Sequence, residues 1–240
     1  MIVSHRYRFV LLVPWKCASS TVWTRLVAYD ESEHERFYDF NAALQRVVHR
    51  HLTLADYRAL PEASLGYFTA AFVRNPYDRA YSGFRQLLRD RDQQPLVPFR
   101  TPWVRSLVVR QLSENAAQLI AAGYDFDAWM ASLEEHQVYE IGRNSSLPLH
   151  PAHYWTHYAG AQAVDFVGRV EEFEADFELL CRRLGIPIPE RTSANVDVAP
   201  FPLRPGDYKY TSRMNSASIR RINELFRDDF ELLGYPVVSP

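Results

Sequence analysis

The chain has 240 residues, 47% hydrophobic and 23% charged, with a formal net charge of −2. That is long enough to bury a full core as one domain spanning 1–240, and it excludes a global field drawing the chain to nucleic acid or to anionic membranes. Two cysteines, Cys17 and Cys181, make no disulfide framework, and no apolar run reaches the length of a membrane span. With no signal peptide ahead of the first strand, a soluble, cytoplasmic protein without integral membrane contact is expected.

In chain order, Tyr7–Val13 reads as a buried strand that runs into a helix after Thr21. Arg46–His51 reads as a second strand, followed by a helix start at Thr53, whose hydroxyl with Asp56 forms a capping-box pattern. Gly66–Val73 is a third strand, and Pro76 suits the first turn of a helix through Arg89. Asp92–Pro102, rich in Pro and Gln, reads as a surface loop. Helical periodicity returns over Arg105–Ala121 and Asp125–Glu134, and Val138–Ile141 and Val164–Val167 read as further strands. Glu171–Leu184 is a helix stopped by Gly185 and Pro187. Pro187–Asp207 holds five prolines and reads as an extended excursion. Ser216–Leu233 closes the chain as a helix with Ile219, Ile222, Phe226, Phe230 and Leu233 on one face. Strands alternating with helices give an α/β fold with a central, mainly parallel sheet flanked by helices.

Two segments carry chemistry. Lys16-Cys17-Ala18-Ser19-Ser20-Thr21 places an ammonium and three hydroxyls where a strand meets a helix, and Arg74 to Ser82 does the same after the third strand. Unpaired N–H groups and the helix dipole make such junctions anion sites. Lysine occurs only at Lys16 and Lys209; every other cation of this kind is arginine. The two glycines of a Walker loop are absent, and no strand ends in an evident Mg²⁺-holding Asp.

On these residues the chain resembles the sulfotransferases that act on carbohydrates. Pro14…Lys16-Cys-Ala-Ser-Ser-Thr21 is similar to their 5′-phosphosulfate loop, with Trp15 as an extra residue between Pro and Lys. Arg74-Asn-Pro-Tyr-Asp-Arg-Ala-Tyr-Ser82 is similar to their 3′-phosphate motif. Asp165-Phe-Val-Gly-Arg-Val-Glu171 and Arg227-Asp-Asp-Phe-Glu-Leu-Leu-Gly-Tyr235 resemble their later stretches. The resemblance implies a P-loop-like three-layer fold and the donor 3′-phosphoadenosine 5′-phosphosulfate (PAPS), with no metal. Lys16 would meet the 5′-phosphate and bridging oxygen, Cys17 and Ala18 would bind the donor as part of the same loop, and Ser19, Ser20 and Thr21 would hold phosphate oxygens. Arg74 and Ser82 would hold the 3′-phosphate, while Lys209 and Tyr210 would close over the nucleotide. Asp78 and Arg79 read as a helix-surface pair.

Sulfuryl transfer to a hydroxyl needs a proton acceptor. Alternation along Arg46–His51 puts His51 at the carboxyl end of its strand, where open α/β sheets bind ligands. His49-Arg-His51 is also similar to the His-x-His segment of uronyl 2-O-sulfotransferases, so His51 is assigned as base and His49 as a neighbouring acceptor contact. Simple packing beside the Thr53 helix start is the alternative for His51. His150, Tyr154 and Trp155 are expected to shape the acceptor pocket, and a core-and-loop role competes with that. The partner is a hydroxyl-bearing acceptor, a glycan or a small-molecule secondary metabolite. A P-loop kinase and a nucleotide-binding module without catalysis remain the other readings.

Overall fold

Three mainly apolar strands, two of them buried on both faces, align in parallel to form the centre of the fold. The computed structural model describes residues 1–32, 38–90, 101–142, 146–190 and 208–240. Its elements in chain order begin with β1 (Ile2–Ser4), β2 (Phe9–Leu12), α1 (Ser19–Leu26), β3 (Asp39–Asn41), β4 (Arg46–Val48) and α2 (Leu54–Arg58). They continue with β5 (Phe68–Val73), α3 (Pro76–Asp90), α4 (Pro102–Ala121), α5 (Phe126–Ser132) and α6 (Glu135–Tyr139). Last come β6 (His157–Tyr158), β7 (Ala161–Gln162), β8 (Phe166–Arg169), α7 (Phe173–Leu184), α8 (Ser216–Leu225) and α9 (Arg227–Leu233). The result is a mixed α/β fold whose central sheet has four strands in the order β1-β2-β5-β8, flanked by helices. β2–β5 and β5–β8 are parallel, and β1 pairs antiparallel with β2.

The chain divides into two compact units, one of Met1–Arg36, Asn41–Arg74 and Ala152–Val198, the other of Phe37–Phe40, Asn75–Pro151 and Ala199–Pro240. The first unit holds the central sheet. Successive strand residues point to opposite faces, so Phe9, Leu11, Ala70, Phe72 and Phe166 share one face. They bury there against Val22 and Leu26 of α1 and Phe177, Leu180 and Cys181 of α7. Gly168 is required by this packing: a Cβ there would lie 2.5 Å from Cε1 of Phe72. At the other end of β5 and β8, the Asp165 carboxylate accepts from the Thr69 N–H at 2.7 Å and hydroxyl at 2.9 Å, tying the two strands together.

The second unit is organised by α3. Arg79, 1% exposed, ion-pairs with the fully buried Asp229 at 2.8 Å and donates to the His150 carbonyl at 2.5 Å. Its guanidinium also lies 4.8 Å from the centre of the Phe226 ring. The hydroxyl of Tyr77 donates to Asn223 at 2.5 Å and accepts from the Val238 N–H at 2.8 Å.

Several sequence expectations need correction. Val138–Ile141 is not a strand: Val138 and Tyr139 lie on α6, opened by a capping box between Glu134 and Gln137. Helix α1 starts at Ser19, two residues ahead of the expected end of the loop. The Arg46–His51 strand stops at Val48 and is not part of the central sheet; it belongs to a separate two-stranded sheet. Arg79 and Asp78 are buried rather than a helix-surface pair. The last helix is broken at Phe226, whose backbone leaves helical geometry. The capping box at Thr53 and Asp56 is present as expected, as is the left-handed Gly185 that ends α7. Most of the stretches expected as the Asp92–Pro102 loop and the Pro187–Asp207 excursion lie outside the described residues.

Candidate active site

The carboxyl edge of the parallel strands brings three cation-bearing positions of the first unit, Lys16, Arg74 and Arg169, to one side of the sheet. In a parallel ladder the ends of neighbouring strands emerge together, about 4.8 Å apart. Leu12 of β2 is level with Ala71 of β5, and Val73 is level with Arg169 of β8. The Pro14–Ala18 loop, Arg74 and Arg169 therefore leave the sheet at the same edge. Arg169 is a third cation at that edge that the sequence does not single out; only the pairing of β8 with β5 reveals its place.

The loop is strained. Lys16 has φ 62° and Ala18 φ 57°, both left-handed and neither a glycine. Non-glycine residues held there cost about 1–3 kcal/mol each and concentrate at functional sites. Turns that combine such residues with right-handed ones aim successive N–H groups into a concavity that binds anions. Ala18 is also the N-cap of α1 and makes no side-chain cap, so the first N–H groups of that helix depend on other acceptors. Lys16, Ser19 and Ser20 are half-buried at this junction, Thr21 and Cys17 buried. A phosphate-like group fits these donors.

Both ends of the loop are anchored. Beyond it, Arg25 of α1 makes a bidentate pair with Glu174 of α7 at 2.7 and 2.9 Å, its guanidinium near the rings of Phe173 and Phe177. Ahead of it, the Val13 carbonyl accepts from His51 Nδ1 at 2.5 Å. A carbonyl only accepts, so Nδ1 carries the hydrogen of the neutral ring and Nε2 is left with its lone pair. His51 thus reaches the carboxyl end of β2 through this bond, rather than from a strand of its own as expected.

His51 is 4% exposed. Burial holds its pKa well below the usual histidine value, helped by His49, Arg50 and the N-terminal amine, and the bond to Val13 opposes this only in part. The ring is therefore neutral at physiological pH. Trp15 stacks on it with centroids 3.8 Å apart and planes at 22°. His49 completes a three-ring cluster, 4.8 Å from each of the others.

The remaining expected residues divide. Tyr154 is half-buried, edge-on to His153 at 4.9 Å. Trp155 is fully buried, as is His150, whose Nδ1–H donates to the Val138 carbonyl at 2.7 Å. For both, the core role is the one the packing favours over the expected pocket role. Ser82 lies half-buried on α3 in the second unit. Tyr210 docks on that same helix: its N–H donates to Asp78 Oδ1 at 2.9 Å, and its ring stacks on Tyr81 at 4.7 Å. The Lys209 ammonium lies 5.3 Å from the Tyr210 ring centre.

A strained loop carrying a lysine thus joins a parallel strand to a helix N-terminus in an α/β fold, a geometry suited to an anionic group. Over residues 1–236 the chain matches the model of the sulfotransferase family, and it belongs to that family. No curated protein and no solved structure matches it. Membership implies a transferase that moves a sulfuryl group from a sulfate donor to a hydroxyl acceptor.

Proposed function

We propose that the protein transfers the sulfuryl group of PAPS to a carbohydrate hydroxyl by in-line displacement, with His51 as general base. One observation carries this reading: Val13, the residue before the cationic loop, accepts from His51 Nδ1 and so pairs an anion cradle with a neutral imidazole. When bound, the donor supplies an activated sulfuryl group next to a nucleotide phosphate. Lys16 neutralises the charge that grows on the departing phosphate, which preorganised cations do without reorganisation cost. Ser19, Ser20, Thr21 and the N–H groups of the Cys17–Ala18 turn hold phosphate oxygens, and Arg74 takes a second phosphate. His51 Nε2 accepts the proton of the attacking hydroxyl, with His49 beside it and Tyr154 offering an aromatic face to a sugar ring. For Ser82, Lys209 and Tyr210 the assignment to the donor rests on the family resemblance alone. Two cysteines without a disulfide support placing the protein in the reducing cytoplasm.

The test is calorimetry with 3′-phosphoadenosine 5′-phosphate and with ATP and Mg²⁺, on wild type and Lys16→Ala. The first ligand is expected to bind and the substitution to weaken it; binding of ATP alone overturns the reading. Sulfate transfer from PAPS to a panel of glycans and small hydroxylated metabolites then identifies the acceptor. Turnover confined to small metabolites replaces the carbohydrate by that class.

A further inference from the structure

The geometry points to Trp15 as a positioning residue, which locks the His51 ring from within the anion loop and so joins the donor site and the base into one unit. The inference rests on the reading of His51 as base. Val13, Pro14 and Trp15 are consecutive, and this short stretch grips the imidazole twice. The Val13 carbonyl takes its Nδ1–H at 2.5 Å, and the Trp15 indole covers its face at 3.8 Å. The next residue is Lys16, in the left-handed conformation that turns the loop. Any shift of the loop that moves Lys16 is therefore felt at the ring that takes the proton.

Burial and the neighbouring cationic groups favour the neutral form of the imidazole, opposed only by the bond to Val13. His49 lies 4.8 Å away, Arg50 is its neighbour in the chain, and the N-terminal amine donates to the Arg50 carbonyl. The nearest carboxylate in sequence, Asp56 of α2, is engaged by Arg46 and by Thr53. Trp15 is only half-buried, so its removal admits water to the His51 face rather than sealing a cavity. A wetted His51 gains protons more readily, and its pKa moves up toward the ordinary value of about 6.5. The freed ring also loses its fixed aim, and misplacement of a catalytic group by about 1 Å costs on the order of 100-fold in rate.

The experiment follows the His51 nitrogens by NMR of ¹⁵N-histidine-labelled protein across pH, in wild type, Trp15→Ala, Trp15→Leu and Trp15→Phe. Wild type is expected to keep the neutral Nδ1–H form to well below pH 6.5, the ordinary histidine pKa of about 6.5 being the reference. Trp15→Phe keeps it too, while Trp15→Ala and Trp15→Leu raise the midpoint and mix the tautomers. In transfer assays Trp15→Ala lowers kcat about 10- to 100-fold. Its acid limb moves to higher pH while the KM for PAPS stays within about twofold, the pattern of a lost transition-state arrangement rather than lost binding. An unchanged His51 midpoint and tautomer in Trp15→Leu overturns the inference, and Leu fills enough of the site to decide the matter if Trp15→Ala does not fold. His51→Gln separates the two readings. Transfer retained in that variant removes the base assignment, whereas transfer lost there together with an unmoved midpoint in Trp15→Leu removes only the role of Trp15.

Discussion

The Pro14–Thr21 loop and the Arg79–Asp229 pair both place cations near the start of a helix that follows a sheet strand. Arg79 is 1% exposed and Asp229 fully buried, so the guanidinium meets a carboxylate, a carbonyl and an aromatic ring. Lys16 is half-buried on a left-handed backbone, with a helix N-terminus beside it. The buried pair is neutralised from within and acts as architecture, joining α3 to α9. The loop holds strain and a cation that is not sealed in the core. A charged motif by itself does not say which of the two it is; burial and backbone conformation do.

Four substitutions test this contrast, the largest effect first. His51→Gln is expected to lower transfer about 10²- to 10⁴-fold, the usual worth of a general base, while binding of 3′-phosphoadenosine 5′-phosphate by calorimetry stays nearly constant. The same variant carries a pH signature. His51 resists protonation in the folded protein and accepts it in the unfolded chain near pH 6.5, so the unfolded state binds more protons as pH falls below about 6.5. Wild-type stability therefore drops over that interval down to the lowered folded pKa, and urea titrations should show a shallower drop in His51→Gln.

Arg79→Ala leaves Asp229 buried without its ion partner and should cost about 3–5 kcal/mol in urea unfolding. Replacing both, Arg79→Met with Asp229→Leu, should recover most of that; if it does not, the pair does more than neutralise itself. Gly168→Ala forces the Phe72 ring to shift and should cost about 1–3 kcal/mol by the same measurement. The smallest effect belongs to the loop. Ala18→Gly relieves a left-handed residue and should stabilise the fold by roughly 0.5–1 kcal/mol, the strain relieved exceeding the added freedom of the unfolded glycine. A loss of stability there would mean that Ala18 is not strained.

Much of the frame was legible because local chemistry and tertiary role agree. β2 and β5 are apolar runs with clear ends, β8 lies two residues beyond the expected Val164–Val167, and Thr53 and Asp56 cap a helix with their own side chains. The errors arise where a distant partner decides. Arg79 looks like a surface charge until Asp229, 150 residues away, is brought to it. Val138–Ile141 is short and apolar enough to pass for a strand, and the Glu134–Gln137 box four residues earlier is what makes it helical. The place of His51 at the sheet edge is not legible from its own segment, because the bond to Val13 spans 38 residues and no periodicity reports it. Trp15 has no counterpart in the loop pattern the sequence resembles, and only its stack on His51 gives it a place.

The staple between Thr69 and Asp165 has a consequence for synthesis. The two residues are 96 positions apart. At about 5–20 residues added per second, a ribosome needs on the order of 5–20 s to deliver β8 after β5 has emerged. For that interval the nascent chain carries β1, β2 and β5 with the outer edge of β5 unpaired, the kind of edge that invites pairing with another chain. The segment made in the meantime, Asn75–Pro151, belongs to the second unit and itself waits for the C-terminal helices. Neither unit is a contiguous stretch of sequence, so the chain offers no cut point that would release one of them whole.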